Sequence, residues 1–243
     1  MKRRLVLLLL LACTAAHGAA LTPREILEQS DRARGKGPGL AWNIAMTSEE
    51  GAEKKEQTLE VKARENDALV TFAAPARMKG QMMLMQGRNM WFIKPGVSKP
   101  IPISPRQKLM GQAANGDIAS TNYAGDYDGK LLAEEQIGGE PCYVLDLAAK
   151  TQNLTYDRIV FWVSKERLVG VKADFYTVSG KKFKSAVLEH KNAITYKGQK
   201  YPFISKMVIT DTLRPADITT MVFGSAVIKE VPDSTFNLNL LVK

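Results

Sequence analysis

From residue 40 onward, the apolar residues of this 243-residue chain recur at every second position in short runs separated by turn formers. Such a run buries one face and leaves the other in solvent, which is the pattern of a half-buried strand. Leu40, Trp42, Ile44 and Met46 form the first run, residues 48–51 turn the chain, and Leu59 with Val61 mark the return. Val70 and Phe72 follow, then 82–85 and 90–93 hinged at Gln86-Gly87-Arg88-Asn89. Later runs cover 142–147, 159–163, 168–176, 183–188, 203–209 and 218–228, divided by turns such as Gly138-Gly139, Ser179-Gly180 and Lys197-Gly198. Roughly eleven short strands at hairpin spacing predict a mainly β chain, an antiparallel meander forming one large curved sheet or incomplete barrel. No β-α-β alternation is present, which argues against a nucleotide-binding α/β fold.

Helical signals are few. Thr22-Pro23-Arg24-Glu25 is a capping box with proline at the first helical position, and Gly35 supplies the stop. Residues 104–110, opening Ser104-Pro105 and ending at Gly111, read as a short capped helix, and 120–127 as a further helical turn. Both interrupt the meander and are expected to cover one face of the sheet. Without linker, repeat or low-complexity tract, residues 21–243 read as one domain.

Residues 1–20 read as a bacterial export signal: Lys2, Arg3 and Arg4, an apolar stretch from Leu5 to Ala12, then small residues to Gly18-Ala19-Ala20. The apolar stretch is well short of the ~20 residues of a membrane span. A periplasmic location is therefore expected. Leu10-Leu11-Ala12-Cys13 also resembles a lipidation site, so anchoring through Cys13 stands as an alternative. Either processing leaves no cysteine pair for an internal disulfide, since Cys142 is the only other cysteine. The net charge of +9 falls to +6 once the three signal charges are removed, and the basic residues are dispersed. That argues against nucleic acid as a partner.

Catalytic constellations are absent. There is no H-E-x-x-H, no G-x-S-x-G and no phosphate-binding glycine loop, and the two histidines are His17 and His190. Ser179-Gly180-Lys181-Lys182 matches S-x-x-K formally but sits in a hairpin turn without its partner motifs. Asp117, Asp126 and Asp128 lack the spacing of a calcium loop and suit helix caps and turns. Met82, Met83 and Met85 fall on alternating faces of a strand and cannot converge on one soft cation; adaptable packing suits them better. The expectation is a non-enzymatic protein without a cofactor or metal.

The segments P-A-R-M-K-G (75–80), N-M-W-F-I-K-P (89–95), M-G-Q (110–112), N-G-D-I (115–118) and T-N-Y-A-G-D-Y (121–127) together resemble the outer-membrane lipoprotein-sorting family related to the carriers LolA and LolB. The likeness continues through Cys142-Tyr143-Val144-Leu145 and Tyr156-Asp157-Arg158 to Pro232-Asp233-Ser234-Thr235-Phe236. It implies an incomplete antiparallel barrel of about eleven strands whose helices cover an apolar cavity. It further implies a carrier of lipidated protein or lipid that passes cargo toward the outer membrane. Such a carrier works with an inner-membrane exporter of RND or ABC type and touches the membrane transiently. A Cys13-anchored receptor or accessory subunit of an envelope transporter is the alternative. Trp42, Met46, Met82, Leu84, Trp91, Phe92, Leu109 and Met110 are the expected cavity residues, chosen for apolar alternation and proximity to the lid expected at 104–111.

Overall fold

A computed structural model describes residues 20–119 and 122–242. The predicted export signal and Cys13 lie outside the described residues, apart from Ala20. Helix α1 (Pro23–Arg32) starts as its sequence requires: Thr22 Oγ1 accepts the Glu25 amide while the Glu25 carboxylate accepts the Thr22 amide.

Six strands then run in meander: β1 (Leu40–Glu50), β2 (Glu53–Arg64), β3 (Asp67–Ala74), β4 (Met82–Gln86), β5 (Asn89–Ile93) and β6 (Ile101–Ile103). A small hairpin follows, β7 (Lys108–Met110) with β8 (Ala113–Ala114), and then two short helices, α2 (Asn115–Ala119) and α3 (Tyr123–Asp126). The second half contains β9 (Tyr127–Ile137), β10 (Glu140–Ala149), β11 (Arg158–Ser164), β12 (Gly170–Tyr176) and β13 (Lys182–Glu189). A second hairpin, β14 (Asn192–Tyr196) with β15 (Gln199–Phe203), precedes β16 (Lys206–Asp211), β17 (Ile218–Phe223) and β18 (Val227–Ile228). A short helix, α4 (Leu238–Leu241), comes last.

Fourteen strands form one open antiparallel sheet in the order β6-β5-β4-β3-β2-β1-β17-β16-β13-β12-β11-β10-β9, with β18 beside the start of β1. The mainly β, incomplete-barrel expectation holds. There are more strands than the roughly eleven the alternation suggests, for identifiable reasons. β9 has both faces exposed from Lys130 to Gln136, so it carries no alternation to read. The 203–209 run splits at Ile204-Ser205 into β15 and β16, and the 218–228 run into β17 and β18.

The helix expected over 104–110 is corrected to a turn followed by β7. Lys108 and Met110 pair with Ala114 and Ala113 across a turn at Gly111, which has φ +54. A side chain at Gly111 would collide with the hydroxyls of Ser48 and Thr219, so only glycine lets this hairpin press onto β1 and β17. The helical turn expected at 120–127 exists in part, as α3, capped by the Asn122 side chain on the Gly125 amide at 3.2 Å.

Alternation assigns the two faces. The inner face carries Ile44, Met46, Leu59, Val61, Val70, Phe72, Met83 and Met85, joined by Ile26 and Leu27 of α1, Ile118 of α2 and Tyr123 of α3 in the main core. The outer face of β3–β5 is covered as well: Leu69, Leu84 and Ile93 pack against Val231 and Phe236. Arg64 holds that covering segment, donating to the Val231 carbonyl at 2.8 Å and the Asp233 carboxylate at 2.6 Å.

Candidate functional site: a strapped mouth and an open cleft

The inner face of β3–β5 does not close completely. Phe72, Met83 and Phe92 form the floor of a mouth of about 440 Å³, with Met78, Ile103 and Leu109 around it. The Phe72 and Phe92 rings meet edge to face, 6.0 Å between centroids. This volume lies in the ~300–1,000 Å³ range of ligand sites, and the apolar floor is matched by a polar rim of Gln57, Gln107, Lys108 and Asn115.

The β7–β8 hairpin lies along this mouth and is tied to the sheet by polar contacts at several points. Arg106 donates two bonds to the Asp157 carboxylate, at 2.8 and 2.6 Å. Lys108 reaches Glu50 at the end of β1 at 3.0 Å, and the Gln112 side-chain amide donates to the same carboxylate at 3.1 Å. The Gln112 amide N–H donates to Thr219 Oγ1 at 2.7 Å, and Lys184 Nζ donates to the Gln112 carbonyl at 2.6 Å. Residues from β1, β13, β17 and the segment before β11 thus hold one loop.

Behind the hairpin, Asp117 is fully buried. It accepts from the Ala114 amide at 2.8 Å and the Tyr156 hydroxyl at 2.9 Å. Burial pushes its carboxyl pKa up, and the nearby Lys184 ammonium pulls it back. Burial likewise depresses Lys184. Asp157, by contrast, is held below the usual carboxylate range by its bonds to Arg106. The strap at Arg106 is therefore an ionised, charge-assisted pair, the stronger kind of hydrogen bond.

At another end of the inner face, a cup of about 160 Å³ sits between Trp42, Met85 and Ile118, with Lys36 and Glu65 on its wall. The same Lys36 and Glu65 border a wider cleft of about 540 Å³ between α1 and the β14–β15 hairpin, lined by Leu40, Ile194, Tyr196, Tyr201 and Ile228. Among the described residues no ion pair spans this cleft.

The eight expected cavity residues divide three ways. Phe92 and Leu109 line the mouth. Trp42, Met46 and Met110 are buried in the main inner core, Trp42 also walling the cup. Met82, Leu84 and Trp91 belong to the outer face under the segment that follows Val231, because they sit out of phase with Met83 and Phe92 along β4 and β5. Phe72, Met78, Met83 and Ile103 also line the mouth, although the sequence does not single them out as cavity residues. Phe72 and Met83 do fall in strands that the alternation marks; the missing information is which face of those strands points inward.

An open antiparallel half-barrel with a loop strapped across an apolar face defines a binding fold of the lipoprotein-sorting type. In sequence and structure the chain is 32% identical to a LolA superfamily protein from Nitrosomonas europaea, superposing with a TM-score of 0.80 over 90% of this chain and 98% of the other. The chain belongs to the LolA superfamily. A family model carrying the description "-like: Uncharacterized protein" matches residues 64–243. The fold is shared by an outer membrane lipoprotein-sorting protein domain from Vibrio parahaemolyticus (19% identity, TM-score 0.77, 91% of this chain and 98% of the other). It is shared too by a DUF1329 family protein from Desulfovibrio piger (20% identity, TM-score 0.75, 90% and 97%). No curated protein matches the chain in sequence.

Proposed function

We propose that the protein is a non-enzymatic carrier of the bacterial envelope that binds lipid or the acyl chains of lipidated protein and releases them to a membrane or a partner. The observation that carries this reading is the apolar mouth floored by Phe72, Met83 and Phe92 beneath a hairpin held by polar contacts. The Arg106–Asp157 and Lys108–Glu50 straps are part-exposed and individually weak, so the outer part of the loop around Leu109 can give way while Met110 to Ala114 stay packed in the core. Burying each CH₂ of a chain is worth about 0.8 kcal/mol, and a dozen carbons give on the order of 10 kcal/mol before lid opening and ordering are deducted. Affinity of that size is firm yet reversible, as hand-over requires.

Export to the periplasm, carried by residues 1–20, suits this role, as does an inner-membrane exporter of RND or ABC type as the loading partner. The resemblance to lipoprotein-sorting proteins and membership of the LolA superfamily support both. A receptor anchored through an acylated Cys13 is the second reading, favoured by the Leu10-Leu11-Ala12-Cys13 sequence. The mass of the mature N-terminus separates them: a free Leu21, or an acylated Cys13.

The direct test is displacement of a fluorescent fatty acid, together with native mass spectrometry of protein purified from its own envelope. Phe92→Asp and Leu109→Asp should each weaken binding at least about tenfold, the effect of one buried charge facing an acyl chain. Val178→Asp, at a side chain 85% exposed, should leave binding unchanged. Absence of bound lipid combined with no fatty-acid binding would reject the carrier reading.

A further inference from the structure

The β14–β15 hairpin stands apart from the large sheet as a two-stranded sheet of its own. Its root is fixed: Asn192 Nδ2 donates to the carbonyls of Ile204 at 2.9 Å and Phe223 at 2.8 Å. Its tip, Lys197-Gly198, is exposed. From His190 to Lys206 the sequence contains Lys191, Lys197, Lys200 and Lys206 and no aspartate or glutamate. Lys191 pairs with Glu189 at 2.6 Å. Lys197, Lys200 and Lys206, with Lys229 beside β18, form no ion pair among the described residues.

Apolar groups accompany these lysines, with Lys200, which pairs with Thr195, on the reverse face of the hairpin. Ile194 pairs with Tyr201 across the hairpin and Tyr196 lies two residues further, so the three share one face. Tyr196 and Tyr201 are 38% and 37% exposed, and Val227 and Ile228 of the adjoining β18 are 56% and 40% exposed. Lys197 Nζ lies 5.4 Å from the Tyr196 ring, so cation and aromatic are presented together. Tyrosine and lysine are the side chains that settle at a lipid–water boundary, the ring in the headgroup layer and the ammonium reaching past it.

We infer that the β14–β15 hairpin, with β18 beside it, is the surface by which the protein docks on an anionic lipid bilayer. The lysines meet headgroup phosphates, while Tyr196, Tyr201, Val227 and Ile228 enter the interface. Docking in this pose brings the α1–hairpin cleft, with its apolar lining, against the lipid. A solvated charged face would account for the lysines alone. It does not account for four large apolar side chains exposed among them. The far wall of the cleft carries Glu28 and Glu65 beside Arg32 and Lys36, so of the cleft's two walls it is the hairpin side, with Lys197 and Lys200, that carries the excess positive charge. The inference deepens the carrier reading by assigning its membrane-facing surface, and its test needs no cargo.

The test is co-sedimentation of the full mature protein with vesicles of phosphatidylglycerol and phosphatidylethanolamine, against vesicles of phosphatidylcholine alone. Binding to the anionic vesicles should fall steeply with added salt. Each lysine near the surface is worth about fivefold in partitioning, so Lys197→Glu with Lys200→Glu should lower it by more than about twenty-five-fold. Tyr196→Ser with Ile228→Ser should weaken the binding that survives at high salt. Thermal melts confirm that these exposed-site variants remain folded, and fatty-acid displacement on the same variants should match the unaltered protein. Absence of binding to anionic vesicles, or binding indifferent to both double substitutions, overturns the inference. So does equal competition by a soluble polyanion such as heparin, which would mark the surface as a general anion binder. If vesicle binding fails while fatty acid still binds, the docking surface falls and the carrier reading stands; the reverse outcome separates them the other way.

Discussion

The two openings on this half-barrel are built by opposite means. The mouth over Phe72, Met83 and Phe92 is bordered by a single loop held by directional contacts, with an ion pair at Arg106–Asp157 and another at Lys108–Glu50. The cleft under the β14–β15 hairpin has no ion pair across it among the described residues, and its lip carries tyrosines and lysines. The rim of the mouth is therefore fixed by geometry and charge pairing, whereas no ion pair among the described residues fixes the lip of the cleft. On the proposed carrier reading, holding an apolar ligand and approaching a lipid surface are kept at different places.

Four experiments bear on that contrast, and the largest effect is expected at Gly111. Gly111→Ala places a methyl group against Ser48 and Thr219 at positive φ, so the hairpin must lift off β1 and β17. The cost should be about 3 kcal/mol, seen as a fall of roughly 6–12 °C in melting temperature. Fatty acid should enter faster. An unchanged melting temperature with unchanged entry would show that the hairpin is not pinned there.

The next effect concerns pH, and the two ends should respond differently. Burial raises the Asp31 carboxyl from 3.8 to about 6, against the Ala124 and Tyr123 amides that hold it between α1 and α3. The native state then keeps this proton more tightly than the unfolded chain. Its contribution to stability is full below about pH 4 and is lost as pH rises through about 6. His190 is opposite in sense: burial, with Arg167 and Arg34 nearby, lowers it from 6.5 to about 3. Its contribution is full above about pH 6.5 and is lost as pH falls toward 3. A tenfold difference in proton affinity between the folded and unfolded chain corresponds to about 1.4 kcal/mol. Melts between pH 4 and 7 should show Asp31→Asn steepening the loss toward acid and His190→Leu abolishing it. Asp157, held low by Arg106, keeps the mouth strapped until the pH falls below the ordinary carboxylate range. Acid should therefore protonate Asp31 at the α1 end, which favours the folded state there, well before it loosens the mouth.

A smaller effect is expected at the strap itself. Arg106→Ala and Asp157→Ala should each cost about 1 kcal/mol, reduced from the buried value because both side chains are part-exposed. A double-mutant cycle should return a coupling of the same order, with faster fatty-acid entry in every variant. Zero coupling would mean that the contact does not latch the loop. The smallest effect is expected at the cleft's lip. Lys200→Ala should leave stability within about 0.5 kcal/mol while still lowering vesicle binding, since its exposed side chain bears on no core packing.

What the sequence discloses, and what it withholds, follows from burial. α1 is legible to the residue because its start is a local device: Thr22 and Glu25 recognise each other without help from the rest of the chain. The central strands are legible because water lies on one side of them. β9 is not, since residues 130–136 face solvent on both sides and the pairing with β10 leaves no mark on their polarity. β7 reads as a helix because Ser104-Pro105 imitates a helix start and three residues are too few to show a period of two. The cavity residues suffer a subtler loss. Leu84 is 0% exposed and Met83 2%, so burial alone cannot separate the inner face of β4 from its outer face. Only the position of the segment after Val231 distinguishes them, and that is a fact about residues far away in sequence.

That remote segment has a consequence for how the molecule comes into being. Arg64 is bound to Val231 across a separation of 167 residues, and one edge of β1 is paired only by β17 and β18. As the chain is synthesised, Leu69, Leu84 and Ile93 emerge long before Val231 and Phe236 can cover them. The early half of the sheet must therefore wait, one apolar surface bare and one strand edge unsatisfied, until the rest of the polypeptide arrives. Such a topology folds late and as a whole, not piece by piece, and the interval is the stage at which the nascent chain most needs guarding from its neighbours.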